Sequence, residues 1–180
     1  GKRTRVGFFF LARLETSIGE YAEFLGDREF HASEEAMKRV PRTGAGEMQR
    51  LPDDYAVTGV SWDDAVEFAR WRTARKGGGK WVFRLPTSRE WEKAARGADG
   101  RFHAWGDGFE GLFLATMESR GPRGGMLDPI GSFAADESPY GIRDMTGGVR
   151  EWTATEADGG LNRLVKGGVY GSRAFDVRPA

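Results

Sequence analysis

Cysteine is absent from this chain. That absence removes disulfides, thiolate nucleophiles and thiolate metal sites together. Histidine is scarce, with His31 and His103 the two present, and these two alone cannot build a two-histidine or three-histidine iron site. Asn162 and Gln49 are the single asparagine and the single glutamine. Such depletion of thermolabile residues fits a thermophilic bacterial source, and a GC-rich genome would produce the same bias. No excess charge of one sign exists, with 27 basic against 27 acidic residues. A balanced surface makes no electrostatic case for nucleic acid or for an anionic membrane. Apolar runs such as Val6 to Leu11 are far too short to span a bilayer, and no signal peptide is visible. The expectation is therefore no nucleic-acid partner, no membrane insertion and a cytoplasmic location.

What is present is enough for one domain over residues 1–180 with a real hydrophobic core, since twelve Phe and six Trp are available to fill it. Arg5 to Leu14 reads as a Phe-rich strand. Ser17-x-x-Glu20 is a capping box that opens a short helix, with Tyr21 and Phe24 on one face and Gly26 as the stop. Residues 27 to 56 read as irregular. Ser61 is the next N-cap, with Asp63 and Asp64 in the first turn, where the helix dipole favours negative charge. Trp62, Ala65, Val66, Phe68 and Ala69 are expected on the buried face of that helix, and Gly77-Gly78-Gly79 ends it. Gly77-Gly78-Gly79-Lys80 is not a phosphate loop, because it follows a helix and lacks Ser or Thr after the Lys. Trp81 to Leu85 reads as a short strand. Thr87-x-x-Glu90 is a second capping box, opening a helix through Trp91, Ala94 and Ala95 to Gly97.

From Gly97 to residue 163 helical periodicity disappears, and Gly, Asp and Pro surround isolated aromatics. So long a stretch in a compact domain needs pins. Metal ions and the aromatics Trp105, Phe133 and Trp152 are the candidates. Leu164 to Tyr170 reads as a strand interrupted at Gly167-Gly168.

Several segments, in order along the chain, resemble the formylglycine-generating-enzyme (sulfatase-modifying factor) family. They are Leu14-Glu-Thr-Ser-Ile-Gly-Glu-Tyr-Ala-Glu-Phe-Leu25, Val60-Ser-Trp-Asp-Asp-Ala65, Phe83-Arg-Leu-Pro-Thr-Ser-Arg-Glu-Trp91, Gly100-Arg-Phe-His-Ala-Trp-Gly106, Ser138-Pro-Tyr-Gly-Ile-Arg-Asp-Met-Thr-Gly-Gly-Val-Arg-Glu-Trp152 and Val165-Lys-Gly-Gly168. The resemblance implies an α+β, C-type-lectin-like fold, with a small twisted mixed sheet, two main helices and long irregular loops. The family pattern runs on to a closing strand beyond Ala180, so this stretch is expected to lack its last strand.

The same resemblance implies a structural calcium site at Asp144, Gly147, Val149 and Glu151. Calcium takes hard oxygen ligands from carboxylates and main-chain carbonyls together. Here two side chains and two carbonyls would supply them. The family usually has Asn at Gly148 and Trp at Arg150, and neither departure removes a ligand. The alternative is a polar turn with Glu151 in a salt bridge. In the family's enzymes a cysteine pair carries the chemistry, and it would fall at Ser172 and Val177. Neither residue can be the soft thiolate that holds Cu(I). Neither copper nor iron is expected, because iron-dependent relatives draw histidines from an additional domain. The implied protein is thus a non-catalytic binding domain, and a metal-dependent oxidase of the formylglycine-generating type is disfavoured.

The binding face is expected at Val169, Tyr170, Gly171, Ser172, Arg173, Phe175 and Asp176, framed by Trp105 and Trp152. Tyr170 and Phe175 would be its aromatic anchors. The ligand, macromolecular or small, and the oligomeric state are not legible. Some proteins of this fold are variable proteins of diversity-generating retroelements, whose diversified sites carry no Lys, Glu, Gln, Met or Trp. None occurs from Val169 to Ala180, which fits such a protein and fits ordinary divergence equally. Relatives with Arg before Glu-Trp, as at Arg150-Glu151-Trp152, resemble sensor domains fused to bacterial Ser/Thr kinases, a further alternative.

Overall fold

The computed structural model describes residues 5–38, 51–108, 110, 113 and 127–169. The chain forms two compact units, Glu15–Leu85 and Gly1–Leu14 with Pro86–Ala180.

The unit Glu15–Leu85 is helical. Helix α1 (Ile18–Gly26) begins as its capping box dictates. The Ser17 hydroxyl accepts the Glu20 amide, and the Glu20 carboxylate accepts the Ser17 amide. Helix α2 (Glu34–Lys38) is a short turn within the segment expected to be irregular. Helix α3 (Trp62–Lys76) opens on Ser61, with Asp64 taking the reciprocal role that Glu takes elsewhere. Each such box satisfies two amide donors that the first turn leaves over.

Tyr21, Phe24, Ala36, Phe68 and Trp71 form the core of this unit. The rings meet edge-on or tilted, as in Phe24 against Phe68 at 5.9 Å and Phe68 against Trp71 at 5.4 Å. Burying each such side chain contributes roughly 1.5–3 kcal/mol. The buried face of α3 is turned from the expected one. Phe68, Ala69 and Trp71 are buried, whereas Trp62, Ala65 and Val66 are half-buried. The cause is Asp27, the C-cap of α1, which draws Trp71 inward by accepting its indole N–H at 2.8 Å. Asp27 also takes Arg75 in a two-pronged pair at 2.6 and 2.9 Å.

Helix α3 stops at Gly77, where a Cβ would overlap the carbonyl oxygens of Thr73 and Trp81. Trp81 to Leu85 forms no strand. The Thr73 hydroxyl accepts the Phe83 amide at 2.8 Å and donates to Ala69. A side chain thus satisfies backbone that a sheet partner was expected to satisfy.

The second unit packs helix α4 (Ser88–Arg96) against strands β1 (Glu151–Ala157) and β2 (Asn162–Lys166). Thr87 and Glu90 close the capping box of α4 as read from the sequence. β1 and β2 are antiparallel, with Trp152 opposite Val165 and Ala157 opposite Asn162, and a register shift lies between Trp152 and Glu156. A 3-10 turn at Asp158–Gly160 joins them, with all three residues at positive φ. Among the described residues this pair is the whole of the sheet, and β1 lies in the stretch that showed no periodicity.

Trp91, fully buried, centres the core with Ala94, Ala95, Ala104, Ile142 and Met145. Phe9, Leu11 and Trp105 pack against it. In the segment read as a strand, Arg5 to Leu14, Phe8 and Phe10 point outward at 91% and 70% exposure while Phe9 and Leu11 pack inward. Among the described residues no strand forms over this segment. Its Arg13 carbonyl accepts the Arg143 amide at 2.9 Å.

Candidate metal centre and ligand face

Residues 136–144 fold back on themselves as a small hairpin. Glu137 bridges Arg143, and the Ser138 amide donates to the Ile142 carbonyl at 2.7 Å. Gly141 turns the corner at φ +77. Glu137 holds Arg143 at 2.7 Å and Arg13 at 3.3 Å. Those two guanidinium groups, Arg143 first, keep its carboxyl below the usual range.

The hairpin delivers Asp144 in a left-handed backbone conformation, φ +58, which is uncommon for a residue with a Cβ. Its amide donates to the Asp136 carbonyl at 3.0 Å, and its Oδ2 accepts the Gly131 amide. Asp136 lies deeper. Its Oδ2 accepts the amides of Thr146 and Gly147 at 3.1 and 3.2 Å. Gly148 follows at φ +79, a conformation open to Gly and to Asn. The Gly-for-Asn departure noted in the sequence therefore keeps the backbone path. Arg150 is exposed, and Glu151 opens β1 with its carboxyl group enclosed.

Three carboxylates thus share one enclosed region. Burial raises the Glu151 carboxyl to about 7; the indole of Trp91 opposes the shift, and the charges of Asp144 and Asp136 add to it. Burial likewise raises Asp136 to about 6, against the pull of Thr146 and the two amides. The Trp91 indole N–H bears on the Glu151 charge without reaching hydrogen-bond geometry.

Enclosed like charges with hard oxygen donors fit a divalent cation of the calcium type. Among the described residues no three His, Asp or Glu side chains converge on one ion. Carboxylates alone therefore do not complete a site. Asp144 and Glu151 could hold calcium with the main-chain carbonyls of Gly147 and Val149. Asp136 was missed in the sequence, since a lone Asp eight positions before Asp144 carries no spacing signal.

The loop is tied to Gly167 and Gly168, just ahead of Val169, where the expected ligand face begins. The Gly168 amide donates to the Thr146 carbonyl at 3.0 Å. Gly167, at φ +83, lies so close that a Cβ would stand 3.2 Å from the Val149 carbonyl oxygen and 3.6 Å from the Trp91 ring. Trp152 and Val169, both half-buried, flank this junction in sequence. Trp105 has a packing role first. It stacks on His103 at 4.8 Å, and its indole N–H donates to Gly108 at 2.7 Å. Tyr170, Gly171, Ser172, Arg173, Phe175 and Asp176 lie outside the described residues, and with them the segment on which the retroelement reading rests.

A two-unit α+β chain with capped helices, a short antiparallel pair and a carboxylate-lined loop ahead of Trp152 defines a C-type-lectin-like domain of the formylglycine-generating-enzyme type. Solved structures share this fold. PvdO from Pseudomonas aeruginosa superposes with a TM-score of 0.64 at 18% identity, over 93% of this chain and 74% of that one. CarF does so with a TM-score of 0.64 at 24% identity, over 93% and 79%. The chain belongs to the family described as the sulfatase-modifying factor enzyme 1-like domain, which matches over residues 1–180.

Among curated relatives, the formylglycine-generating enzyme of Mycobacterium tuberculosis is 40% identical over 112 residues, 57% of this chain and 34% of the relative. The inactive C-alpha-formylglycine-generating enzyme 2 of Bos taurus is 34% identical over 121 residues, 63% of this chain and 36% of the relative. The hercynine oxygenase of Mycolicibacterium smegmatis is 35% identical over 121 residues, 63% and 25%. The matched stretch spans about a third or less of the length of these relatives.

These relatives overturn the expectation of a non-catalytic protein. That expectation treated the missing cysteine pair as decisive. The family includes proteins named as enzymes of two kinds, and lack of thiolate excludes one type of metal ligation without excluding oxygen chemistry on nitrogen and oxygen ligands. Among the described residues no helix is long and apolar enough to cross a membrane.

Proposed function

We propose that this chain is the substrate-binding domain of an oxygen-using enzyme of the family, built on a calcium-braced loop. Asp144 and Glu151 hold the calcium through side-chain oxygen, and Gly147 and Val149 through main-chain carbonyls. When bound, calcium supplies fixed positive charge that neutralises the enclosed carboxylates. The substrate is a small molecule received at the surface between Trp152 and Val169. The observation that carries this reading is the double tie of the loop to that surface, through the Gly168 amide on Thr146 and the close approach of Gly167 to Val149.

Likeness to a formylglycine-generating enzyme and to a hercynine oxygenase supports oxygen chemistry. Cysteine is absent from these 180 residues, which favours the oxygenase branch, whose redox metal needs no thiolate. The test is oxygen uptake by the complete protein. Uptake with Fe(II), hercynine and a thiol is expected, and none with Cu(I) and a cysteine peptide. The reverse pattern, or uptake in neither mixture, would contradict the assignment.

A further inference from the structure

Asp136 is almost completely enclosed, at 1% exposure, and its two carboxylate oxygens are used very differently. Oδ2 accepts two amides, those of Thr146 and Gly147. Oδ1 is buried with no hydrogen-bond partner. The Thr146 hydroxyl bears on the Asp136 carboxyl without reaching hydrogen-bond geometry. The main chain of Asp136 is engaged as well, since its carbonyl accepts the Asp144 amide at 3.0 Å and its amide donates to Phe133 at 3.0 Å.

One residue therefore grips the loop at Asp144, Thr146 and Gly147, and two of these three are candidate calcium ligands. An enclosed carboxylate oxygen without a partner costs heavily unless a cation, or water bound to one, satisfies it. Leu, Ala or Ser at this position would have avoided that cost, so a purely packing role does not account for an ionisable group there.

We infer that Asp136 is the positioning residue of the calcium loop: Oδ2 sets the backbone of Thr146 and Gly147 so that the Gly147 carbonyl is presented, and Oδ1 takes a water of the bound ion. This deepens the calcium reading of the preceding section and rests on it. Second-sphere partners of this type change metal affinity by about 10–100-fold when removed.

Calcium affinity of the complete protein is measured by calorimetry and by terbium luminescence sensitised by the nearby tryptophans. Wild type is compared with Asp136→Asn and Asp144→Ala, and the melting temperature of each is recorded in chelator. Asp136→Asn keeps the shape and loses the charge. It is expected to weaken calcium at least about tenfold while melting in chelator no lower than wild type. A variant that loses stability in chelator and binds calcium as wild type does would make Asp136 purely structural and overturn the proposal.

Should Asp136→Asn fail to fold, hydrogen exchange on the wild-type protein decides. Calcium should slow exchange at the Thr146 and Gly147 amides that Asp136 accepts, and unchanged rates there would overturn the proposal. A wild-type protein indifferent to calcium defeats the calcium reading together with this one. A calcium-binding wild type with an equally good Asp136→Asn defeats this one alone.

Discussion

The Asp144 amide donates to the Asp136 carbonyl at 3.0 Å, and the Asp136 side chain reaches past it to the amides of Thr146 and Gly147. Two acidic residues are thereby locked together in an enclosed region that also contains the Glu151 carboxyl. Such an arrangement is unfavourable without a cation and favourable with one, which gives it a distinctive response to pH.

In the metal-free protein, stability should fall as pH rises through neutrality. Glu151 titrates at about 7 against an ordinary 4.5, and Asp136 at about 6 against 3.8. A carboxyl whose folded value is raised contributes stability that is complete below its unfolded value and lost as pH climbs through the folded one. The loss is on the order of 3 kcal/mol for Glu151. Melting in chelator from about pH 4.5 to about pH 7.5 checks the trend. Calcium should flatten or invert it, because its ligands bind best deprotonated.

Asp27 should show the opposite sign. Arg75 and then Trp71 hold its carboxyl well below the ordinary 3.8. Stability from this clasp is complete above about pH 4 and is lost as pH falls toward the depressed folded value. Asp27→Asn should melt lower than wild type at neutral pH, with the gap narrowing in acid. A constant gap across that range would show that the Arg75 pairing contributes nothing.

Gly77→Ala should destabilise the helical unit by about 1–3 kcal/mol, the usual cost of overpacking. The reason is steric and local, since the Cβ has no room against Thr73 and Trp81. Gly78→Ala, in open space, is the control, and it carries only the cost of its positive φ, +56. Urea unfolding of both variants separates the two effects.

The capping boxes at Ser17 and Thr87 and the N-cap at Ser61 were legible because all their information lies within four residues. The Tyr21–Phe24 face was legible for the same reason, and the ordered segments led to the family and, through that resemblance, to the α+β class. What escaped is long-range. The inward turn of Trp71 depends on Asp27, 44 positions away. Trp81 to Leu85 has strand composition, yet Thr73 takes its amide in place of a neighbouring strand. Strand β1 was hidden because Gly and Asp on both sides masked the short alternation Trp152-Thr-Ala-Thr. Of the three enclosed carboxylates, Asp144 and Glu151 stood out by their place in a motif, and Asp136 did not, because its partners arrive through a hairpin.

Gly167→Ala should disturb the loop through Val149. The new Cβ would press on the Val149 carbonyl oxygen at 3.2 Å with the backbone at φ +83. A stability loss of about 1–3 kcal/mol follows from the strained backbone. Calcium affinity should drop with it, because the displaced group is a candidate ligand. Calorimetric titration of the variant with calcium is the check; an unchanged affinity would separate Val149 from the site.

The calcium-braced loop is tested most directly by the melting temperature of the wild-type protein with calcium and with chelator, beside Asp144→Ala. A ligand bound only to the folded state stabilises it by about 2.7 kcal/mol at a hundredfold excess over its Kd. Wild type should therefore melt several degrees higher in calcium, and Asp144→Ala should not respond. Identical wild-type melting in calcium and in chelator would contradict the account.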